Sequence, residues 1–156
     1  MKRSFIREIL ESIDENTISF AGGLPSEKLF PSDDLKTATL MLFDNPKVFQ
    51  YGLSNGIPEL REKIASRYTK EGFATFKENI LITTGSQQAM YILAKFYESK
   101  DITIEEPSYL GAMNIFRLNH LKMQGIKLEN DGVDLEAFEK SFKQTKLAYL
   151  IPDFQN

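Results

Sequence analysis

ILITTGSQQAM, spanning Ile80–Met90, opens with three apolar residues, breaks at Thr83-Thr84-Gly85 and restarts as an amphipathic helix at Ser86. This pattern reads as a buried strand that delivers a glycine turn onto a helix N-terminus. Such a turn suits a phosphate, because unpaired backbone N–H groups and the positive end of the helix dipole both face the anion. Ser86 is placed to cap the helix and to offer a hydroxyl, and Gln87 adds a side-chain amide at the helix mouth. On spacing alone, an ordinary βα turn with a serine cap accounts for these residues equally well.

Downstream the pattern stays regular. Helix is expected over Gln87–Tyr97, with Ala89, Ile92, Leu93 and Phe96 inward. Ile102-Thr103-Ile104 reads as a second strand, stopped by Glu105-Glu106-Pro107, and Ser108 to Leu118 as a helix. Ile126–Leu128 is a third strand, Asp131-Gly132 a turn, and Asp134 the cap of a helix carrying Leu135, Phe138 and Phe142. Leu147–Ile151 is a last apolar strand, ended by Pro152. Strands that alternate with helices and are apolar throughout imply a mostly parallel sheet covered on both faces. In such folds ligands bind at the carboxyl ends of strands. Gly85-Ser86-Gln87, Pro107-Ser108-Tyr109 and Pro152 to Asn156 all fall at such ends.

Upstream, Ser4–Ile13 carries Phe5, Ile6, Ile9, Leu10 and Ile13 at helical spacing. Ala21-Gly22-Gly23-Leu24-Pro25 is a turn in which paired glycines permit close backbone approach to a ligand. Pro31-Ser32-Asp33-Asp34 starts a helix with Leu35, Ala38, Leu42 and Phe43 as its expected buried face. Tyr51 stands in a turn-rich loop, and Pro58 opens a helix marked by Ile57, Leu60, Ile64, Ala65 and Tyr68 that ends near Gly72.

Composition removes several function classes. The 156 residues carry 19 basic and 22 acidic side chains, a net charge of −3 with no basic stripe, so a nucleic-acid partner is not expected. Cysteine is absent, which removes disulfides, thiolate metal sites and a cysteine nucleophile. The single histidine, His120, cannot alone make a metal site or a serine triad, and no metal is expected. No apolar stretch is long enough to span a bilayer, and MKRSFIREILES lacks a signal-peptide core, so a cytoplasmic protein without a membrane partner is expected.

A phosphate cradle, an aromatic ring and an amide on one sheet rim suit a flat, phosphorylated aromatic cofactor. There is neither a G-x-G-x-x-G after the first strand nor a G-x-x-x-x-G-K-[ST], which argues against a dinucleotide and against a nucleoside triphosphate. The segments ISFAGGLPSEKLFP (Ile18–Pro31), QYGLSNGIPELREKIA (Gln50–Ala65), ILITTGSQQAM, IEEPSYLGA (Ile104–Ala112) and IPDFQN (Ile151–Asn156) resemble, in order, the class I/II aminotransferases of fold type I, which use pyridoxal 5′-phosphate (PLP). AGGLP and GSQQA are most similar to the 2-aminoadipate and kynurenine branch.

The resemblance implies an α/β fold: a three-layer α/β/α PLP-transferase large domain with a mostly parallel sheet, here its N-terminal part. Residues 1–50 would be an N-terminal arm and the start of a small domain, and residues 51–156 the beginning of the large domain. It also implies that Ser86, Gln87 and Gly85 hold the PLP phosphate, that Tyr109 stacks on the pyridine ring, and that Asn156 meets the ring's 3′-oxygen. Tyr51 would reach the phosphate of a neighbouring subunit, which implies a homodimer, and Gly23 would lie along the substrate carboxylate. The substrates implied are an amino acid and a 2-oxo acid, 2-oxoglutarate above all.

One departure matters. The chain stops at Asn156, before the Pro-Thr-Gly that follows in the family pattern. The Asp that pairs with the pyridinium nitrogen, the Schiff-base Lys and the Arg for the substrate carboxylate would all come later. Lys95, Lys100, Lys122 and Lys146 stand in no matching context and read as solvated surface residues. No catalytic residue is assigned, and the chain is expected to be an aminotransferase fragment, inactive by itself. Two alternatives stay open, a phosphate-binding α/β module of another class and a non-catalytic fragment. A third, a regulator joining an aminotransferase-like domain to a winged helix, is disfavoured because the pattern starts within the first few residues.

Overall fold

The structure, a computed structural model, describes residues 23–153 together with residues 9, 11, 13, 14, 16–18 and 20. Most of the expected Ser4–Ile13 helix, Gly22 and Asn156 therefore lie outside the described residues. The chain forms two compact units, one running to Tyr51 and the other from Gly52 onward.

In the first unit, helix α1 spans Ser32–Phe43, with Asp33 and Asp34 in its first turn, where the helix dipole favours negative charge. It ends at Asp44, and a 3₁₀ turn over Pro46–Phe49 follows, with the Asn45 side chain accepting from the Lys47 N–H at 3.3 Å. The Phe43 and Phe49 rings meet at 5.6 Å. The expected buried face of this helix is not buried: Leu35, Leu42 and Phe43 are exposed. Apolar spacing marks a face that wants cover, but the described residues of this unit supply none.

The second unit contains the sheet. Helix α2 (Pro58–Lys70) starts on proline, whose missing N–H costs nothing at that position. Helix α3 (Gly85–Phe96) leads to strand β1 (Asp101–Glu106), then helix α4 (Leu110–Leu118) and strand β2 (Lys122–Glu129). The two-residue strand β3 (Gly132–Val133), helix α5 (Leu135–Thr145) and strand β4 (Ala148–Tyr149) complete the order. Sheet order is β3-β2-β1-β4. β1 runs parallel to β2, with Ile102 beside Met123 and Ile104 beside Gly125, and parallel to β4, with Ile104 beside Tyr149. Among the described strands only β3 is antiparallel, folding back on β2 through Gly132 at φ +139°. The expected α/β class with a mostly parallel sheet is what the chain forms.

Period-two alternation sends neighbouring β1 side chains to opposite faces. Ile102 and Ile104 join Met90, Ala94, Ala112, Phe116 and Leu121 in the apolar core beneath α3 and α4. Thr103 faces α5, where its Oγ1 lies 2.7 Å from Ser141 Oγ and 2.8 Å from Thr145 Oγ1. Ser141 reaches on to Gln124 Oε1 at 2.9 Å, and Thr145 donates to the Leu147 carbonyl at 3.1 Å. Helices thus cover both faces, one through apolar packing and the other through hydroxyls.

Three expectations need correcting. Ile80–Ile82 is extended but pairs with no strand of the sheet; the Ile82 N–H donates to the Asn55 carbonyl at 3.1 Å. A strand exists only where a ladder satisfies its backbone, and what lies alongside this segment is a loop. In α3 the buried residues are Met90 and Ala94, while Leu93 is exposed and Phe96 is 83% exposed. In α5 the buried residues are Ser141 and Thr145, and Leu135 is exposed. Both helices carry apolar residues on more than one face, so periodicity alone does not say which face meets the sheet. The Asp134 cap is present, its Oδ1 accepting from the Ala137 N–H at 3.0 Å.

Candidate functional site

α3 runs into β1 across a four-residue turn, and β1 runs into α4 across a three-residue one. Short turns of this kind reverse the chain, so the N-termini of α3 and α4 both lie at the carboxyl end of β1. Gly85-Ser86-Gln87 and Tyr109 are therefore carried to the same rim of the sheet.

Gly85 begins α3 with φ +72°, a conformation that favours glycine, and open space surrounds the position a Cβ would take. Its N–H goes to the Thr83 carbonyl at 3.0 Å, and Gln88 Oε1 accepts from the Thr84 N–H. The residue at the cap position is Thr84 rather than Ser86, and it makes no side-chain capping bond. Ser86 and Gln87 follow, both exposed, in the turn whose N–H groups have no intrahelical acceptor. An open, uncapped helix start with a hydroxyl and an amide beside it fits a phosphate group.

Tyr109 sits immediately before α4, 40% exposed. Its ring lies back across Gly111, where an added Cβ would stand 2.5 Å from Cζ. The phenol of Tyr149 is held above its ordinary 10.0, first by burial and then by the nearby Tyr109 and Glu105. Tyr149 packs edge-on against Phe116, ring centroids 5.6 Å apart. A cavity of about 400 Å³ lies beside this rim, lined by Ile104, Glu106, Ser108, Met113 and Gly125 among others. The buried Ser108 Oγ has no hydrogen-bond partner among the described residues.

Two buried charges are not among the residues that the sequence singles out. Glu105 is 4% exposed, and both of its carboxylate oxygens lie 3.1 Å from the Ile151 N–H, tying the segment after β4 to the end of β1. In the sequence Glu105 stands beside Glu106 at the acidic end of DITIEE, and nothing there marks it as buried. Arg61 is 6% exposed, on the buried stripe it shares with Ala65.

Of the remaining expected site residues, Tyr51 and Gly23 belong to the first unit. Tyr51 is 99% exposed, and its N–H donates to Oε1 of its neighbour Gln50 at 2.8 Å. Gly23 has open space around it. Asn156 lies outside the described residues. Among those residues no group of acidic or histidine side chains is placed to hold a metal ion, and no helix is long and apolar enough to cross a membrane.

Residues 15–150 match the family described as aminotransferase class I and II. The chain belongs to the class I and II aminotransferases. Within that family it is 36% identical over its whole length to the 2-aminoadipate transaminase of Thermus thermophilus, covering 40% of that protein. Against the crystal structure of LysN, the α-aminoadipate aminotransferase of the same organism, the TM-score is 0.81 at 35% identity, over 99% of this chain and 39% of that one. That structure holds N-(5′-phosphopyridoxyl)-L-leucine. The kynurenine aminotransferase of Pyrococcus horikoshii gives a TM-score of 0.77 at 30% identity, over 94% of this chain and 37% of that one. An uncharacterized HTH-type transcriptional regulator of Escherichia coli, YdcR, is 30% identical over 98% of this chain and 34% of its own length. The aminotransferase chain thus spans about two fifths of the first of these relatives. Pyridoxal 5′-phosphate is the cofactor that this membership indicates.

Proposed function

We propose that this chain is the N-terminal portion of a PLP-dependent aminotransferase that moves an amino group from an amino acid to a 2-oxo acid, with 2-oxoglutarate as acceptor. The observation that carries the reading is the open start of α3, Gly85-Ser86-Gln87, set at the same sheet rim as Tyr109. Gly85, Ser86 and Gln87 would hold the cofactor's phosphate with backbone N–H groups, a hydroxyl and an amide. Tyr109 would lay its ring against the pyridine, and Asn156 would hydrogen-bond the ring oxygen. Glu105 would keep the segment that leads from Ile151 to Asn156 against the end of β1. When bound, the cofactor supplies the electron sink that amino-group transfer needs.

Tyr51 would reach the phosphate of a second copy, making the protein a homodimer, and Gly23 would border the substrate carboxylate. Residues 1–50 would form an arm and the start of a small domain, and residues 51–156 the start of the cofactor domain. 2-Aminoadipate, kynurenine, leucine and aromatic amino acids are the donors to try, in a cytoplasmic enzyme. The Schiff-base lysine would belong to the remainder of the polypeptide, so this chain alone would not turn over.

Reconstitution with PLP tests the reading. The full-length polypeptide carrying these residues should show a visible absorption band that borohydride removes, and it should transfer amino groups from that donor panel to 2-oxoglutarate. The 156-residue chain should show no such band. A full-length protein without the band refutes the aminotransferase reading. A second reading, a regulator built on the same fold, draws on the Escherichia coli relative; specific DNA binding without transamination by the full-length polypeptide would favour it.

A further inference from the structure

Arg61 is a buried cation whose partners are backbone carbonyls. Its Nε donates to the Gly56 carbonyl at 3.2 Å, and its Nη1 donates to the Lys77 carbonyl at 3.0 Å. The first carbonyl belongs to the loop before α2, and the second opens the 3₁₀ turn Lys77–Asn79 that feeds Ile80–Ile82. These two segments also meet directly. The Ile82 N–H donates to the Asn55 carbonyl at 3.1 Å. Gly56, at φ +101°, presents a bare Cα to Ile82, where a Cβ would stand 2.4 Å from Cγ1. A closed ring results: Arg61 to Lys77, along the chain to Ile82, across to Asn55 and Gly56, and back to Arg61. Gly85 lies three residues beyond Ile82.

We propose that Arg61 is a positioning residue for the phosphate site, clamping the loop at Asn55-Gly56 against Ile82 so that the Gly85-Ser86-Gln87 turn is set before the ligand arrives. The inference rests on the reading of that turn as the PLP phosphate cradle. The loop that Arg61 holds supplies the acceptor for the Ile82 N–H, so the clamp bears directly on the approach to the turn. The guanidinium suits the task because its planar fork reaches two carbonyls at once in fixed geometry, which a single ammonium cannot do. A preset turn raises affinity by removing the ordering cost from the binding step.

The test compares PLP with pyridoxal, the same ring without phosphate, on the full-length polypeptide. Dissociation constants are measured by absorbance titration for wild type, Arg61→Met, Arg61→Lys and, independently of the arginine, Gly56→Ala. Wild type should prefer PLP strongly. Each variant should weaken PLP by about tenfold and leave pyridoxal within about twofold, a selective loss that general destabilisation does not produce. Hydrogen exchange at the Ile82 amide, measured on the same variants, should speed up in parallel. If Arg61→Met fails to fold, Arg61→Lys and Gly56→Ala carry the comparison. Equal loss of PLP and pyridoxal, or wild-type selectivity in Arg61→Lys and Gly56→Ala, overturns the positioning role. A wild type that does not distinguish the two ligands overturns the phosphate reading itself, whatever Arg61 does.

Discussion

Replacing Thr103 by valine removes one oxygen from the contact between β1 and α5 and little else, since the two side chains differ by a hydroxyl rather than by shape. That oxygen is fully buried, 2.7 Å from Ser141 Oγ and 2.8 Å from Thr145 Oγ1. Two neutral hydrogen bonds are worth about 1–3 kcal/mol net, and the extra methyl offsets part of this, leaving a loss of about 1–2 kcal/mol. For a chain of this size that lowers Tm by about 2–8 °C. Urea unfolding followed by circular dichroism, at one protein concentration, should show a lower midpoint with an unchanged slope. Removing all three hydroxyls, in Thr103→Val with Ser141→Ala and Thr145→Val, should cost less than the sum of the three single changes, because fewer buried polar groups are then left without partners. Stability of Thr103→Val within about 0.3 kcal/mol of wild type, or a triple variant that costs the full sum, refutes the account.

Other outcomes follow from single features. The Tyr149 phenol is raised above 10.0, so above that pH the unfolded chain loses its proton first and stability falls as pH rises towards the folded value. Below pH 10 the effect is absent, and Tyr149→Phe should remove this share of the alkaline slope in urea titrations; identical slopes would count against it. Asp134→Ala deletes the cap of α5 and should cost about 1 kcal/mol in the same assay, with Asp134→Asn close to wild type. The 156-residue chain exposes Leu29, Phe96 and Leu135, each by more than three quarters of its surface. It should therefore self-associate with rising concentration in sedimentation velocity, and a monomer throughout would refute that expectation.

The parts of the fold that were legible are those where local signals agree. Ile102-Thr103-Ile104 is β-branched and short, and it lies in β1, an inner strand that continues through Glu105 and Glu106, the residues expected to stop it. Asp134 before an amphipathic run caps a helix as its chemistry requires. Ile80–Ile82 carries an equally strong strand signal but pairs with no strand among the described residues, because pairing is decided by what lies alongside and no residue of the segment encodes that. Helix α3 was placed correctly in the chain but turned wrongly about its axis: Met90 and Ala94 take the core, and Ile92, Leu93 and Phe96 form a second apolar stripe that remains exposed. In the candidate site, the turn at Gly85 and the ring at Tyr109 were legible as chemistry at strand ends. Arg61 and Glu105 were not, because Arg61 precedes Glu62 and Lys63 and Glu105 precedes Glu106, and a charge among charges reads as solvated until the carbonyls or N–H groups around it are seen.

Gly111 has no side chain, yet it shapes the rim. Glycine in a helix interior gives up about 1 kcal/mol relative to alanine, and near the start of α4 the same bareness leaves a hollow in which the Tyr109 ring rests. With a methyl group there the hollow is filled, and the phenol has to stand away from the helix, out over the rim. How far the ring projects is thus set two residues away from it, by an empty volume.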